Sequence, residues 1–233
     1  MIQALWARYA DLPGDGERVF HRLCGLLSEN PSEVTWSGLS AEDWSLLRSM
    51  ALSEGVAELA YYLLRTEPEK YRRPEFDTAT YQAWAEQEAI TAVRNAILFK
   101  QLEGVLQALA EIDVPVVLLK GADLARSVYP QPGLRSMGDL DLLVPRARFK
   151  HALVQVKRLG YQEYHPVASL GLDPLLSHNA HLHKDGPTGT ELELHWTLVG
   201  TPAFRYAAPV AWFWGQVEPC PAGSASGAGT PCA

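Results

Sequence analysis

Two aspartates separated by a single residue carry the clearest chemical signal in this chain. Asp139 and Asp141 alternate with apolar residues in the segment Gly138-Asp139-Leu140-Asp141-Leu142-Leu143-Val144. Because side chains alternate between the two faces of a strand, both carboxylates lie on one face, about 7 Å apart, and repel each other unless a cation lies between them. Oxygen ligands favour a hard ion such as Mg²⁺. The alternative, two surface aspartates on a solvated edge strand, is disfavoured by the apolar residues around them, because buried unpaired carboxylates are costly.

A third carboxylate is available farther along the chain. Polar and apolar side chains alternate there in the order Glu191, Leu192, Glu193, Leu194, His195 and Trp196. If this strand neighbours the aspartate strand, one of the two glutamates reaches the aspartate pair. We favour Glu193, and interpret Glu191 as a surface residue at the end of a hairpin. His195 shares the face of Glu193, where it orients that carboxylate, contacts a substrate or has a purely structural role.

A phosphate site is predicted just before the aspartates. An apolar run from Val114 to Leu119 ends at Lys120 and Gly121, and the amphipathic segment 122–129 follows. Glycine allows the chain to turn from a strand directly into a helix. The start of that helix offers free backbone N–H groups to an anion, and the Lys120 ammonium stands beside them. Phosphate contacts at one end and metal-binding carboxylates at the other predict a nucleoside triphosphate site.

An ordered set of motifs carries a family resemblance. It comprises Leu119-Lys120-Gly121-Ala122, Tyr129-Pro130, Arg135, Asp139-Leu140-Asp141-Leu142-Leu143 and Glu193-Leu194-His195-Trp196. This set resembles the uncharacterised nucleotidyltransferase family, which belongs to the DNA polymerase beta-like nucleotidyltransferase superfamily. The resemblance extends over roughly residues 30–215 and is densest from 114 to 196.

The resemblance implies a Mg²⁺-dependent enzyme that moves an NMP group from an NTP to an acceptor hydroxyl and releases pyrophosphate. Two Mg²⁺ ions would accompany the NTP, and the catalytic and metal-binding residues would be Asp139, Asp141 and Glu193. The nucleotide would contact Lys120, Gly121, Ala122, Arg135 and His195. Many superfamily members have serine where this chain has Ala122, so the phosphate contacts fall to backbone N–H groups, Lys120 and Arg135.

Composition and charge restrict the partners and the location. A formal net charge of -7 disfavours extended nucleic-acid binding, which needs many Lys and Arg contacts to phosphates. We therefore expect a small-molecule, peptide or protein acceptor. No apolar run approaches the ~20 residues of a membrane helix, so no membrane association is expected. The three cysteines, Cys24, Cys220 and Cys232, form no metal or disulfide spacing, which favours a cytoplasmic location.

The periodicities predict an α+β fold. We expect an N-terminal helical lobe over 1–110, a nucleotidyltransferase-like α/β catalytic domain with a mixed β-sheet flanked by helices over 111–217, and a disordered tail over 218–233. The longest helix is predicted over 77–111 with a kink or break. Its predicted buried stripe consists of Trp84, Ile90, Val93, Ile97, Leu98, Leu102, Val105, Leu106 and Leu109. Strands are predicted over 114–119, 139–144, 161–165, 178–184 and 190–196.

Two further functions and one group of residues stay open. The first is a truncated or inactive protein that binds nucleotide or a partner, suggested by Ala122 and by an expected shortening of the C-terminus. The second is a metal-dependent phosphohydrolase that uses the same carboxylates with water as the acceptor. The role of His178, His181 and His183 is open, since their spacing matches no common zinc site.

Overall fold

The computed structural model describes residues 15–28, 31, 35–164, 178–186, 189–199, 210–219 and 231–232. Its contacts divide the chain into two compact units. The first is the described part of Met1–Val93 together with Gly133–Ser136, and the second is Arg94–Pro132 with the described part of Met137–Ala233. The first unit is helical and the second contains a mixed sheet with helices, so the predicted α+β class is confirmed. Within the described residues, the structure contains no helix of the length and apolarity needed to cross a membrane.

The first unit is built from helices, as the predicted helical lobe requires. They are Gly16–Leu26 (α1), Ala41–Ser53 (α2), Ala57–Thr66 (α3) and the first part of Thr78–Ala110 (α4). α2 begins with the capping box that the sequence indicates, because the Ser40 hydroxyl accepts from the Asp43 N–H and the Asp43 carboxylate accepts from the Ser40 N–H. Gly55 separates α2 from α3 with φ +65°, a conformation that glycine adopts readily.

α4 differs from the prediction in two respects. It runs uninterrupted over 33 residues, so the expected break does not occur. Ile90 and Val93, predicted to be buried, are 62% and 64% exposed, whereas Thr91 and Asn95 are buried. The physical reason is hydrogen bonding: the Thr91 hydroxyl donates to Glu58 Oε1 at 2.6 Å, and the Asn95 amide donates to the Pro132 carbonyl at 2.7 Å. Paired polar side chains can occupy the buried side of a helix, and hydrophobicity alone does not reveal them.

The second unit is built on a mixed sheet. The strands are Val117–Leu119 (β1), Asp139–Leu143 (β2), Gln162–Glu163 (β3), Asn179–Lys184 (β4), Thr190–His195 (β5), Glu218–Pro219 (β6) and Pro231–Cys232 (β7). The helices are the rest of α4, Lys120–Ser127 (α5), Phe149–Arg158 (α6) and Val210–Trp214 (α7). The described strands follow the order β3-β4-β5-β2-β1-β7-β6. β2 runs parallel to β5 and antiparallel to β1, and β4 runs antiparallel to both β3 and β5.

The two faces of this sheet have different chemistry. On one face the leucines of β1, β2, β4 and β5 are buried in a core that α4, α5 and α6 complete; its members include Leu118, Leu140, Leu142, Leu182, Leu192, Leu194, Leu102, Ala122 and Val156. Burial of this face determines the orientation of these four strands, because a shift of one residue would expose the leucines. The opposite face therefore carries the polar side chains of β2, β4 and β5.

The C-terminal region is described only in part. Residues 220–230, where the sequence predicts disorder, lie outside the described residues, as do 165–177. At either end of 220–230 the structure contains strand residues, since β6 pairs with β7 and β7 pairs in parallel with β1. The division into a lobe over 1–110, a catalytic domain over 111–217 and a tail stays a prediction.

Candidate active site on the polar face of the sheet

Parallel pairing of β2 with β5 brings the predicted carboxylates together. Asp139 lies opposite Glu191, and Asp141 lies opposite Glu193. The two residues of each strand are two positions apart and are paired directly across the strands, so all four side chains lie on the polar face. The sequence shows which face each residue occupies, but only the pairing makes them neighbours.

Asp141 lies at the centre of the group and is 1% exposed. Its Oδ1 accepts a hydrogen bond from Lys120 Nζ at 2.5 Å and lies within hydrogen-bond distance of His195 Nε2, at 3.0 Å. Burial alone would raise the pKa of Asp141, but the hydrogen bonds from His195 and Lys120 and the Lys120 charge outweigh it and lower the pKa below its usual value. Partial burial works to lower the pKa of Lys120, and the same contact with Asp141 outweighs it, so the pKa is raised. Asp141 is therefore ionised and paired.

Glu193 has four polar neighbours, three on strands and one, Lys120, at the start of α5. Its Oε2 accepts from Asn179 Nδ2 at 2.9 Å and lies 3.2 Å from His195 Nε2. Its Oε1 lies 3.2 Å from His181 Nδ1, and Lys120 Nζ is 3.8 Å from Oε2. Sequence reasoning missed the contacts of Asn179 and His181. The alternation along β4 was the available signal, because it assigns Asn179, His181 and His183 to one face.

The potential metal ligands differ from the predicted set by one residue. Ligand atoms of Asp141, Glu193 and His195 all lie within 4.8 Å of one another, and no other group of three forms in the part of the chain that the structure describes. Asp139 is outside this group. It is half-buried, and its pKa is raised by desolvation and by the charge of Asp141, against the lowering effect of Lys120. Asp139 is thus near enough to Asp141 and Glu193 to be affected by their charges.

At the turn into α5, the residue with a positive φ is Lys120 and not the predicted Gly121. Lys120 adopts φ +48°, in the left-handed region, whereas Gly121 does not have a positive φ. A Cβ on Gly121 would lie 3.2 Å from Met137 Cγ, so glycine is needed there for close packing rather than for the turn. Ala122 is buried in the core, and only its backbone can face a ligand. Leu119 occupies the N-cap position without a side-chain acceptor, so no N-cap side chain satisfies the first N–H groups of α5.

Arg135 lies in the segment Gly133–Ser136 of the first unit. Its guanidinium donates to the Ser136 carbonyl at 2.8 Å. A phosphate contact by Arg135 stays a prediction.

His183 and His178 both contact neighbouring side chains. His183 Nδ1 lies 2.7 Å from Glu191 Oε1, and its Nε2 lies 3.1 Å from Asp185 Oδ1. The ring of His178 packs against that of His195, with centroids 5.4 Å apart. Glu191 is thus a hydrogen-bonded neighbour of the site rather than a member of its central group.

An open cavity of about 220 Å³ lies beside Asp139 and Glu193. Its lining comprises Gly138, Asp139, Tyr164, His181, Glu191, Leu192 and Glu193. The cavity therefore adjoins the carboxylate group on the side of β3 and β4, and it can receive a small polar group next to Glu193.

Comparison with known families assigns the chain. The model of the uncharacterised nucleotidyltransferase family matches residues 40–229, which include every strand residue of the site. The chain belongs to this family. Searches of curated proteins and of solved structures found no match.

Membership in this nucleotidyltransferase family supports nucleotidyl transfer in general and a nucleotide as substrate. Nucleotidyltransferases commonly use divalent metals, and the group of Asp141, Glu193 and His195 can hold one. The family match confirms the predicted resemblance.

Proposed function

We propose that this chain is a Mg²⁺-dependent nucleotidyltransferase that transfers an NMP group from an NTP to an acceptor hydroxyl. The observation that carries the proposal is the register of β2 with β5, in which Asp139 and Asp141 lie beside Glu191 and Glu193, next to the start of α5. Family membership supports the reaction type. The NTP as donor, Mg²⁺ and the acceptor hydroxyl are parts of the proposal.

The residues fit a divalent cation. The carboxylates of Asp139, Asp141 and Glu193 would hold it, and they offer the oxygen ligands that Mg²⁺ prefers. The three carboxylates and the single Lys120 ammonium leave a net charge of two negative units on a partly buried face. Desolvation, and then the charge of Asp141, raise the pKa of Asp139. With the triphosphate present, a second Mg²⁺ completes the proposed pair. When bound, the ions neutralise charge on the attacking and leaving oxygens.

Lys120 has two roles in this proposal. In the structure its ammonium pairs with Asp141 and lies near Glu193. The Lys120 side chain is largely exposed, so it can leave Asp141 and bind the triphosphate of an incoming NTP. The first N–H groups of α5 would bind the same phosphates. Lys120 thus balances charge without the nucleotide and recognises phosphate with it.

Glu193 would help to activate the acceptor. Asn179 and His195 hold its Oε2, and its Oε1 lies 3.2 Å from His181 Nδ1. Glu193 lines the cavity together with His181 and Tyr164. An acceptor hydroxyl in this cavity would transfer its proton to Glu193. The acceptor oxygen forms a bond to the α-phosphorus, and the bond between the α-phosphorus and its bridging oxygen breaks. Pyrophosphate leaves with that oxygen and its electron pair.

The charge of the cavity lining favours some classes of acceptor over others. We propose a small-molecule, peptide or protein acceptor, because the lining contains three carboxylates that repel a polyanion. The proposal includes a cytoplasmic location, which rests on the spacing of the cysteines.

The test is transfer of label from each of the four α-labelled NTPs in the presence of Mg²⁺. The chain is incubated with panels of hydroxyl-bearing small molecules, peptides and proteins. Label transfer that requires an acceptor and is lost in Asp141→Asn supports the proposal. The matched control is Asp185→Asn, which makes the same change at an exposed aspartate outside the metal-binding group.

Two other outcomes would replace the proposal. Nucleotide binding without transfer to any acceptor would indicate a nucleotide-binding protein without turnover. Release of phosphate or pyrophosphate that does not require an acceptor would indicate a metal-dependent phosphohydrolase.

A further inference from the structure

We propose that His195 is a positioning residue, which holds Asp141 and Glu193 through its Nε2–H and does not bind the metal. This inference rests on the proposed function, because it concerns the metal site of that reaction. The distances alone allow His195 either to bind the metal or to hold the two carboxylates, and the proposal assigns it the second role. The metal would then be bound through oxygen atoms of the three carboxylates.

The first observation is the environment of Nε2. This nitrogen lies 3.0 Å from Asp141 Oδ1 and 3.2 Å from Glu193 Oε2. Ionised carboxylates only accept hydrogen bonds. In the metal-free chain, a nitrogen between two such oxygens must carry a proton, because its bare lone pair would face two negative atoms. The geometry therefore assigns the donor Nε2–H, shared between the two carboxylates.

The second observation is the environment of the other ring nitrogen. Nδ1 is buried and has no hydrogen-bond partner among the described residues. If Nε2 bound a metal, the proton of the neutral ring would have to lie on Nδ1. Histidines that bind metals usually donate this second N–H to a carboxylate, a carbonyl or water. At His195 that N–H would be buried without an acceptor, so metal binding through Nε2 is disfavoured.

The third observation is that the ring cannot readily turn away. His195 is 4% exposed and packs against the ring of His178. On the neighbouring strand Asn179 donates to the same Glu193 oxygen that His195 contacts, at 2.9 Å. His195 and Asn179 therefore orient Glu193 together through its Oε2, while its Oε1 lies 3.2 Å from His181 Nδ1. Asn179 is the second positioning residue of the site.

The experiment compares three variants of the full chain. His195→Gln keeps an N–H donor at similar reach but removes the imidazole, and His195→Leu removes the donor. His183→Gln is the matched control, because His183 contacts Glu191 and Asp185 rather than Asp141 or Glu193. The probes are Mg²⁺ and Mn²⁺ without nucleotide, and binding is measured by calorimetry and by electron paramagnetic resonance.

Imidazole NMR spectra determine the tautomer directly. Long-range ¹H–¹⁵N correlation spectra of the metal-free chain, with His195 assigned by its loss in His195→Gln, should show the proton on Nε2. The same tautomer should persist when Mg²⁺ is added. A proton on Nδ1, or loss of the Nε2 proton on metal binding, would overturn the proposal.

The binding data test the positioning role. Loss of a residue that orients metal ligands typically lowers metal affinity 10- to 100-fold. We expect a loss in that range for His195→Leu, recovery to within about threefold in His195→Gln, and no change in His183→Gln. If His195 is itself a ligand, His195→Gln will not recover, and its loss will be larger for Mn²⁺ than for Mg²⁺, because imidazole favours transition metals.

Failure of the proposed function gives a different result. If the unmodified chain binds neither ion, the metal-dependent transfer proposed above is wrong and the positioning role falls with it, whereas the metal-free spectrum still decides the Nε2–H assignment. If the unmodified chain binds metal but neither His195 variant changes its affinity, the positioning role is wrong and the proposed function is unaffected.

Discussion

Replacement of Lys120 by methionine should have opposite effects on metal and on nucleotide. The Lys120 ammonium contacts Asp141 Oδ1 at 2.5 Å, so it competes with a metal ion for that oxygen. A hydrogen bond between charged groups contributes about 1.5–3 kcal/mol. Because the Lys120 side chain is 60% exposed, solvent screening favours the lower figure, about 1.5 kcal/mol. Removal of the competitor should therefore tighten Mg²⁺ binding about tenfold in the absence of nucleotide.

Nucleotide binding should change in the other direction. Without the ammonium, the triphosphate loses a charged contact of similar strength, so the affinity for a Mg²⁺ complex of a non-hydrolysable NTP analogue should fall about 10- to 100-fold. Isothermal titration with Mg²⁺ alone and with the analogue measures both effects on the same preparation. Lys184→Met is the matched control, because it removes the same charge from a lysine that contacts Gln101 rather than a carboxylate of the site.

The result that refutes this reasoning is weaker Mg²⁺ binding by Lys120→Met. Such a loss would mean that Lys120 supports the metal site rather than competing for it. Equal changes in Lys120→Met and Lys184→Met would show that overall charge, and not the contact with Asp141, controls metal binding.

Three further substitutions test separate features of the fold and the site. Asp141→Asn should lower the free energy of unfolding of the metal-free chain by about 2–3 kcal/mol, because the ionised Asp141 carboxylate is hydrogen-bonded to Lys120 and His195. Asp139→Asn should raise the free energy of unfolding, since Asp139 is desolvated and repelled by Asp141. Equal changes of the two variants in urea denaturation would contradict this. Burial raises the pKa of Tyr161 to about 12, so the folded chain keeps a proton that the unfolded chain loses near pH 10. Relative to Tyr161→Phe, the stability of the unmodified chain should be constant below pH 10 and fall by about 1.4 kcal/mol per pH unit between pH 10 and 12; parallel stability curves would exclude a raised pKa. Thr91→Val should cost about 1–3 kcal/mol, because buried Glu58 loses the nearer of its two donors and keeps only Gln87 Nε2 at 3.4 Å. Thr66→Val, at an exposed hydroxyl, should stay within about 0.5 kcal/mol in the same denaturation assay.

Local patterns in the sequence determined much of the site and of the first unit. The alternation around Asp139, Asp141 and Glu193 assigned all three carboxylates to polar strand faces, because side chains in a strand alternate by geometry alone. The start of α2 is also encoded locally, because Ser40 and Asp43, the two partners of its capping box, lie within one helical turn. The ordered motifs were also enough to predict the family that the family model confirms.

Tertiary structure alone decided which of these residues meet. Burial of the leucine face accompanies the pairing of β1 with β2, of β2 with β5 and of β5 with β4. The β1–β2 pair places Leu119 opposite Asp141 and so brings Lys120 to Asp141, and the β4–β5 pair brings Asn179 to Glu193. These contacts join residues 14 to 21 positions apart, so no local periodicity could reveal them. The buried side of α4 was likewise decided by partners distant in sequence, because the Thr91 hydroxyl donates to Glu58 and the Asn95 amide donates to the Pro132 carbonyl. A strand pattern determines the face on which a side chain lies, whereas the packing of the whole sheet determines its neighbours.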